Sequence, residues 1–292
     1  MTIRLALLVI LAVAGIAFAA RLARVAVGSR PPSLALVAIG FVTNFFDTLG
    51  IGSFATTTTT FKMLRLVPDE HIPGTMIVGH SLPVVAQALI FIAVVQVEPT
   101  VLLSLITATI LGGWLGAGIV TRLPRRPIQI GMGTALLAAA FFMTMSQLGL
   151  FPSGGTALGL APGLLWLAIA VNFVLGALIM LGIGNYGPCL VLLSLLGMDP
   201  RAAFPIMMGA GALVAMAGGI RFMRAGRYDL RAAIGLTCGG IPAVLIAGLI
   251  VKSLPLDVLR WLVLCVVLYA AVMMLRSAMA PSEDSAPEKG AS

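Results

Sequence analysis

The residues whose types could do chemistry gather at two places. At the first, Asp47 stands three residues before Gly50-Ile51-Gly52-Ser53, and five threonines, Thr56 to Thr60, follow. At the second, Gly182-Ile183-Gly184-Asn185 runs into Tyr186, Gly187 and Pro188. Glycine permits backbone angles that other residues resist, so a helix can break at either pair. Ser53 and Asn185, each directly after a break, are good helix N-caps. A helix starting there offers free N–H groups and a partial positive charge to the break, which is anion-binding chemistry. Thr56 and Thr57 add hydroxyl donors. Thr56 shares a helix face with Thr60, and the remaining threonines can bond back to carbonyls one turn earlier.

Two ionisable residues accompany the first break. Asp47 lies well inside the membrane by count, where a charge must be neutralised, paired or wetted. It reads either as a proton- or cation-coupling group or as a local partner for Asn44 and the threonines. A carboxylate beside an anion site repels the substrate unless protonated, which makes proton–anion coupling sensible. His80, nine residues beyond His71, falls near mid-membrane at ~1.5 Å per helical residue. It reads as a proton carrier or as a neutral packing histidine, with Gln87 on its face. Asn44 and Asn172 lie one to three turns before the breaks and could line a cavity.

The elements that must hold these residues are membrane helices. The chain of 292 residues is 60% hydrophobic and 10% charged, against about 25% charged in a soluble domain. Its apolar runs approach the ~20 residues that cross a bilayer as a helix. They are too continuous for barrel strands. The fold class is therefore all-α, a polytopic helical membrane protein. Broken backbone at membrane depth is tolerated only where protein or a wet cavity surrounds it. The net charge of +8 sits in short loops and orients the chain; it does not point to nucleic acid. Cys189, Cys238 and Cys265 lie singly in apolar segments, with no metal or redox spacing, and no cofactor is expected.

The chain repeats itself. Leu49-Gly-Ile-Gly returns at Leu181, an offset of 132, and Pro68, Pro73 and Gly79 then meet Pro200, Pro205 and Gly211. This gives repeat one at 33–147 and repeat two at 163–279. A hydrophobic helix and basic loop (1–30) precede them, a linker (148–162) joins them, and a disordered tail (280–292) follows. Each repeat predicts five helices: 34–50, 53–65, 74–96, 101–121 and 127–147, then 166–182, 185–197, 205–222, 230–251 and 257–278. The first segment also mimics a secretory signal, but Arg21, Arg24 and Arg30 follow it, which favours a retained helix. The same rule puts Lys62, Arg65, Arg122, Arg125 and Arg126 inside, together with Arg221, Arg224, Arg227, Arg231 and Arg276. Glu98 and the uncharged linker then lie outside. The repeats run in opposite directions, the inverted arrangement of many transporters, and two N-termini meet at one anion site. Lys62 reads as a cytoplasmic charge or as an attractor of anions at the entrance.

The twin motifs GIGSFATTTTTFKMLRLVPDEHIPGT and GIGNYGPCLVLLSLLGMDPRAAFP resemble the TauE/SafE sulfite-exporter family of membrane permeases over most of residues 33 to 279. Gly50, Gly52, Gly182, Gly184 and Pro188 match its motifs, and Pro73-Gly74-Thr75 approximates its small-residue patch. Ser53-Phe54 and Asn185-Tyr186 depart from it by replacing further glycines, and Thr56 stands where repeat one would have proline. The resemblance implies a multi-pass inner-membrane permease that moves a small sulfur-containing anion, such as sulfite, an organosulfonate or thiosulfate. Its expected partners are that anion and the lipid bilayer, the C-terminus is cytoplasmic, and a homo-oligomer is compatible. Other readings are a carrier or channel for another solute, an assembly factor, or an intramembrane hydrolase with Ser53 as nucleophile and His80 or His71 as base. Asn185 at the equivalent of Ser53 argues against the last.

Overall fold

The computed structural model describes residues 3–48, 52–150, 154–182, 186–199 and 202–250, with Leu268, Ala271, Val272, Leu275, Arg276, Ala278 and Met279 beyond them. Its helices are α1 (Ile3–Ala26), α2 (Leu34–Thr48), α3 (Ser53–Leu64), α4 (Ile72–Val94), α5 (Pro99–Val120), α6 (Arg125–Gln147), α7 (Pro162–Ile179), α8 (Tyr186–Leu195), α9 (Ala203–Ala225) and α10 (Leu230–Ile250). A 3-10 turn, Asp69–His71, leads into α4. Among the described residues there is no strand beyond an isolated bridge between Ala157 and Met198. The protein is an all-α, polytopic membrane protein: six of its helices are long and apolar enough to cross a bilayer.

The nine repeat helices from α2 to α10 fall where the apolar runs predict them. The predicted tenth, 257–278, lies almost wholly outside the described residues, as does the tail. Local chemistry sets the ends. Proline opens α5 and α7 and sits in the first turn of α4, where its missing N–H costs nothing. Gly226, at φ 64°, closes α9 in the left-handed conformation.

Small residues let the helices touch backbone to backbone, the usual source of association where lipid is as apolar as the side chains. A Cβ on Gly40 would lie 2.6 Å from Leu236 Cα, and one on Gly239 would overlap the Val37 carbonyl. Leu36 meets Gly235, Gly40 meets Leu236, Phe41 meets Gly239 and Asn44 meets Gly240. The numbers rise together, so α2 and α10 run parallel. Gly112 and Gly176 bring α5 and α7 equally close, each against the other's backbone.

The packing pairs are interchangeable. α2 packs on α10 and α7 on α5; α5 packs on α9 and α10 on α4; α4 and α9 pack on each other. Replacing α2, α4 and α5 by α7, α9 and α10, and the reverse, exchanges the first four pairs among themselves and leaves the α4–α9 pair unchanged. α1 stands outside this scheme. It lies on α4 and α9, burying Leu7, Leu11, Phe18 and Leu22 while Val9, Val13 and Ile16 face outward.

The two ends of the bundle differ in charge. At one end Arg227 donates to the carbonyls of Thr121 and Leu123, and Arg231 to that of Pro31. Lys62, Arg125 and Asp69 meet there too. At the other end the Glu98 N–H bonds to Leu158 and the Asp199 N–H to Ala157. Arg4 also lies at this second end, capping the Ile92 carbonyl of α4 at 2.7 Å.

Candidate functional site

α3 starts in the middle of the bundle. Its C-terminal residues reach the basic end, where Arg65, at φ 50°, terminates it. Twelve residues at ~1.5 Å each put Ser53 roughly 17 Å from that end, about half of a ~30 Å hydrocarbon core. Gly52 occupies the N-cap position at φ 88°. The cap expected of the Ser53 hydroxyl is absent; Ser53 is the first helical residue instead. Its backbone N–H donates to Asp47 Oδ1 at 2.7 Å. The Asp47 carboxylate, from the end of α2, thus fills the place at the α3 N-terminus where an anion would sit.

Gln87 of α4 completes the arrangement. Its Nε2 donates to Asp47 Oδ2 and to Thr48 Oγ1, both at 3.0 Å. Asp47 is half-buried, whereas Ser53 and Gln87 are 1% and 0% exposed. Ser53 Oγ and Gln87 Oε1 are nevertheless buried without a hydrogen-bond partner. The Ser53 hydroxyl still lies beside the Asp47 carboxylate, so Gln87 Oε1 is the atom left to meet something else, since such an atom is costly to bury unmatched.

His80 belongs to a different chain of bonds. Asn44 turns Nδ2 to the Gly40 carbonyl at 2.7 Å. Its Oδ1 therefore faces His80 Nδ1, 3.0 Å away, and requires an N–H there. His80 Nε2 lies 3.0 Å from Thr57 Oγ1 and accepts from it. This network assigns the neutral tautomer protonated on Nδ1, and it satisfies every member. Phe54 covers the ring, with centroids 5.8 Å apart. Because His80 Nε2 is engaged by Thr57, the Ser53–His80 pairing that a hydrolase needs is not assembled.

The threonines divide. Thr56 donates to the carbonyls of Gly52 and Ser53, and Thr60 to that of Thr56. Thr58 donates to Met76 Sδ, and Thr59 is buried without a partner. Of the expected donors, Thr56 is engaged by its own backbone and Thr57 by His80.

Of the second break the structure describes Gly182, at φ 94°, and the start of α8 at Tyr186 and Gly187. Gly50, Gly184 and Asn185 lie outside the described residues. A Cβ on Gly182 would lie 4.0 Å from Thr58 Oγ1 and 3.3 Å from the Met76 methyl. Gly182 therefore lies against the flank of α3, about one and a half turns after Ser53. Behind it Cys189 approaches Asn172 Oδ1 at 3.7 Å.

On the basic side the site is shut. Phe61, Ile72, Met76, Ile128 and Met132, each at most 1% exposed, fill the space between α3, α4 and α6. Above them Asp69 Oδ2 takes Lys62 Nζ at 2.5 Å and Gln129 Nε2 at 2.7 Å, with Arg125 at 3.7 Å. Lys62 is bound in this lock. Gln129 had no motif to mark it; its signal was a lone amide one turn into a helix that opens on Arg125 and Arg126. Gln87's link to Asp47 was equally hidden, because forty residues separate them.

No curated protein and no solved structure matches the chain. Residues 164–291 match the family model described as Sulfite exporter TauE/SafE, which supports a membrane transporter and agrees with the resemblance carried by the twin Gly-X-Gly motifs.

Proposed function

We propose that this protein is a secondary transporter of a small anion, a sulfur oxyanion or an organosulfonate, held at mid-membrane between the starts of α3 and α8. The observation that carries this reading is the Asp47 carboxylate on the Ser53 N–H. The start of α3 already holds an anion, one that belongs to the chain. Gly52, Ser53 and Thr57 would form the first half of the site. Gly182, Gly184, Asn185, Tyr186 and Gly187 would form the second, with Gly50 shaping the first break. Thr56 supports the turn through its backbone bonds. Asp47 is the coupling group, and His80 positions Thr57 within its neutral network.

The repeats are inverted in this reading. Exchangeable packing pairs support it, as do the parallel α2 and α10, which both begin at the basic end. That end is cytoplasmic by the positive-inside rule, and the membrane is the inner one. The Asp69 lock closes the cytoplasmic path in this conformation.

A titration of the purified protein tests the assignment. A ligand that binds only the folded state stabilises it by RT ln(1 + [L]/Kd), about 2.7 kcal/mol at a hundredfold excess over Kd. Sulfite or a small sulfonate should raise the melting temperature more than chloride does. Ser53→Ala should weaken this response about tenfold in Kd, the worth of one bond to a charged group. A flat response to the whole series would overturn the proposal.

A further inference from the structure

The start of α3 has one outermost N–H for an anion, and Asp47 holds it. Substrate and carboxylate therefore compete for a single place. We infer that Asp47 is a tethered competitor: a singly charged oxyanion displaces its carboxylate from the α3 N-terminus only as Asp47 takes up a proton, so one proton enters the site with each anion. This rests on the reading of the site as an anion site and adds the charge of the substrate and the coupling ratio.

The exchange balances. In the empty site the negative charge is on Asp47, and Ser53 N–H and Gln87 Nε2 donate to it. In the loaded site a proton from the aqueous phase sits on an Asp47 oxygen. The Ser53 N–H then donates to an oxygen of the anion, and the net charge of the site stays at minus one. Loading also explains the unmatched amide oxygen of Gln87. The Ser53 hydroxyl, beside the Asp47 carboxylate in the empty site, turns to an oxygen of the anion. If the amide turns over, Gln87 Oε1 accepts the new Asp47 O–H. A dianion would leave one negative charge uncompensated beside the helix start, so sulfate should bind more weakly than a monoanion.

No other charge change competes at this place among the described residues. α2 packs against α3, α4 and α10. On α3 the charged residue is Lys62, held by Asp69 near the basic end. On α4 it is His80, about 10 Å along the helix from Gln87 and fixed between Asn44 and Thr57. On α10 Arg231 is bound at Pro31, and Cys238 is exposed.

The test uses methanesulfonate, whose charge is constant across the working pH range, with the full-length protein in detergent. Calorimetry in two buffers of different ionisation enthalpy counts the protons taken up per anion. The expected count is one above the Asp47 titration, with the apparent Kd tightening about tenfold for each pH unit lowered. In Asp47→Asn the count and the pH slope should both vanish. A wild-type protein that binds methanesulfonate with no proton uptake, or an Asp47→Asn protein that keeps it, overturns the inference and leaves the anion site standing. Failure of methanesulfonate, sulfite, thiosulfate and sulfate alike to bind wild type removes the anion site itself. Should Asp47→Asn not fold, the wild type still decides: the infrared difference spectrum on adding methanesulfonate must lose a carboxylate band and gain that of a protonated carboxyl, and a spectrum without that exchange overturns the inference.

Discussion

The lock at the basic end makes a sharp energetic prediction. Lys62 and Asp69 are 2.5 Å apart, with side chains 13% and 7% exposed. Fully exposed pairs are worth ~0.2–1 kcal/mol, while hydrogen bonds to charged groups away from water reach ~1.5–3 kcal/mol. This pair belongs to the second class, because little solvent remains to screen it. The two single substitutions should be unequal. Lys62→Met leaves Asp69 with Gln129 at 2.7 Å and Arg125 at 3.7 Å, and should cost roughly 1.5 kcal/mol. Asp69→Leu removes the anchor for three side chains at once. It should cost about 3 kcal/mol, the lower end for breaking a buried pair, because Lys62 can still extend to water. Reversible unfolding in mixed micelles, applied to both single variants and the double, gives the coupling between them. We expect about 2 kcal/mol, weakly dependent on salt. A coupling below about 0.5 kcal/mol would refute the reasoning, since it would place the pair with ordinary surface contacts.

Thr57→Val should cost about 1–3 kcal/mol, because it leaves His80 Nε2 buried without its donor, whereas Thr57→Ser should recover most of the loss in the same unfolding assay. Gly239→Val should abolish folded protein on size exclusion, because the new atoms would overlap the Val37 backbone. Gly248→Ala meets only the end of the Ile90 side chain at 3.1 Å and should cost less than ~1 kcal/mol. Intact-mass measurement of membrane-purified protein should show residues 1–20 present, because Leu7, Leu11 and Phe18 are built into the core with α4 and α9; a species starting near Arg21 would refute that.

The helices were legible because each signal is local. Runs of twenty apolar residues, a proline at a first turn and a Gly-X-Gly break are all contained within the segment they describe. The gathering of basic residues at one end was legible for a related reason: arginines count by which loop they occupy, and Arg227 and Arg231 do meet the ends of α5 and α2 at one face. The inside of the site was less legible, because its bonds join distant segments. Asp47, Ser53 and Gln87 were each visible as polar residues at depth. That Asp47 would cap α3 and take Gln87 as its second partner depends on how α2, α3 and α4 come together. The threonine run shows the same limit. Five identical side chains carry one sequence signal, yet Thr56 bonds its own backbone, Thr57 a histidine, Thr58 a methionine sulfur and Thr60 the preceding turn.

On the two-repeat reading the halves share a scaffold and not a chemistry. Under the 132-residue correspondence Asp47 becomes Ile179, Thr57 becomes Cys189, His80 becomes Ala212 and Gln87 becomes Gly219. The backbone devices recur, while the polar groups around the first break have no counterparts. A symmetric pair of helix starts suits an anion, because both ends attract it. A symmetric pair of carboxylates would not, since two negative charges facing one substrate would repel it and each other. In the proposed site, one proton-accepting group and two attracting helix starts would let a single ionisation decide whether the site is open. The substitution of Gly219 for Gln87 also makes room for the unpaired helix. Phe18 of α1 lies 3.1 Å from where a Gly219 Cβ would stand. A glutamine there would displace the ring. On the two-repeat reading, Phe18 of the N-terminal helix takes the space at Gly219 that corresponds to the Gln87 side chain, which would tie the presence of α1 to the asymmetry of the proposed site.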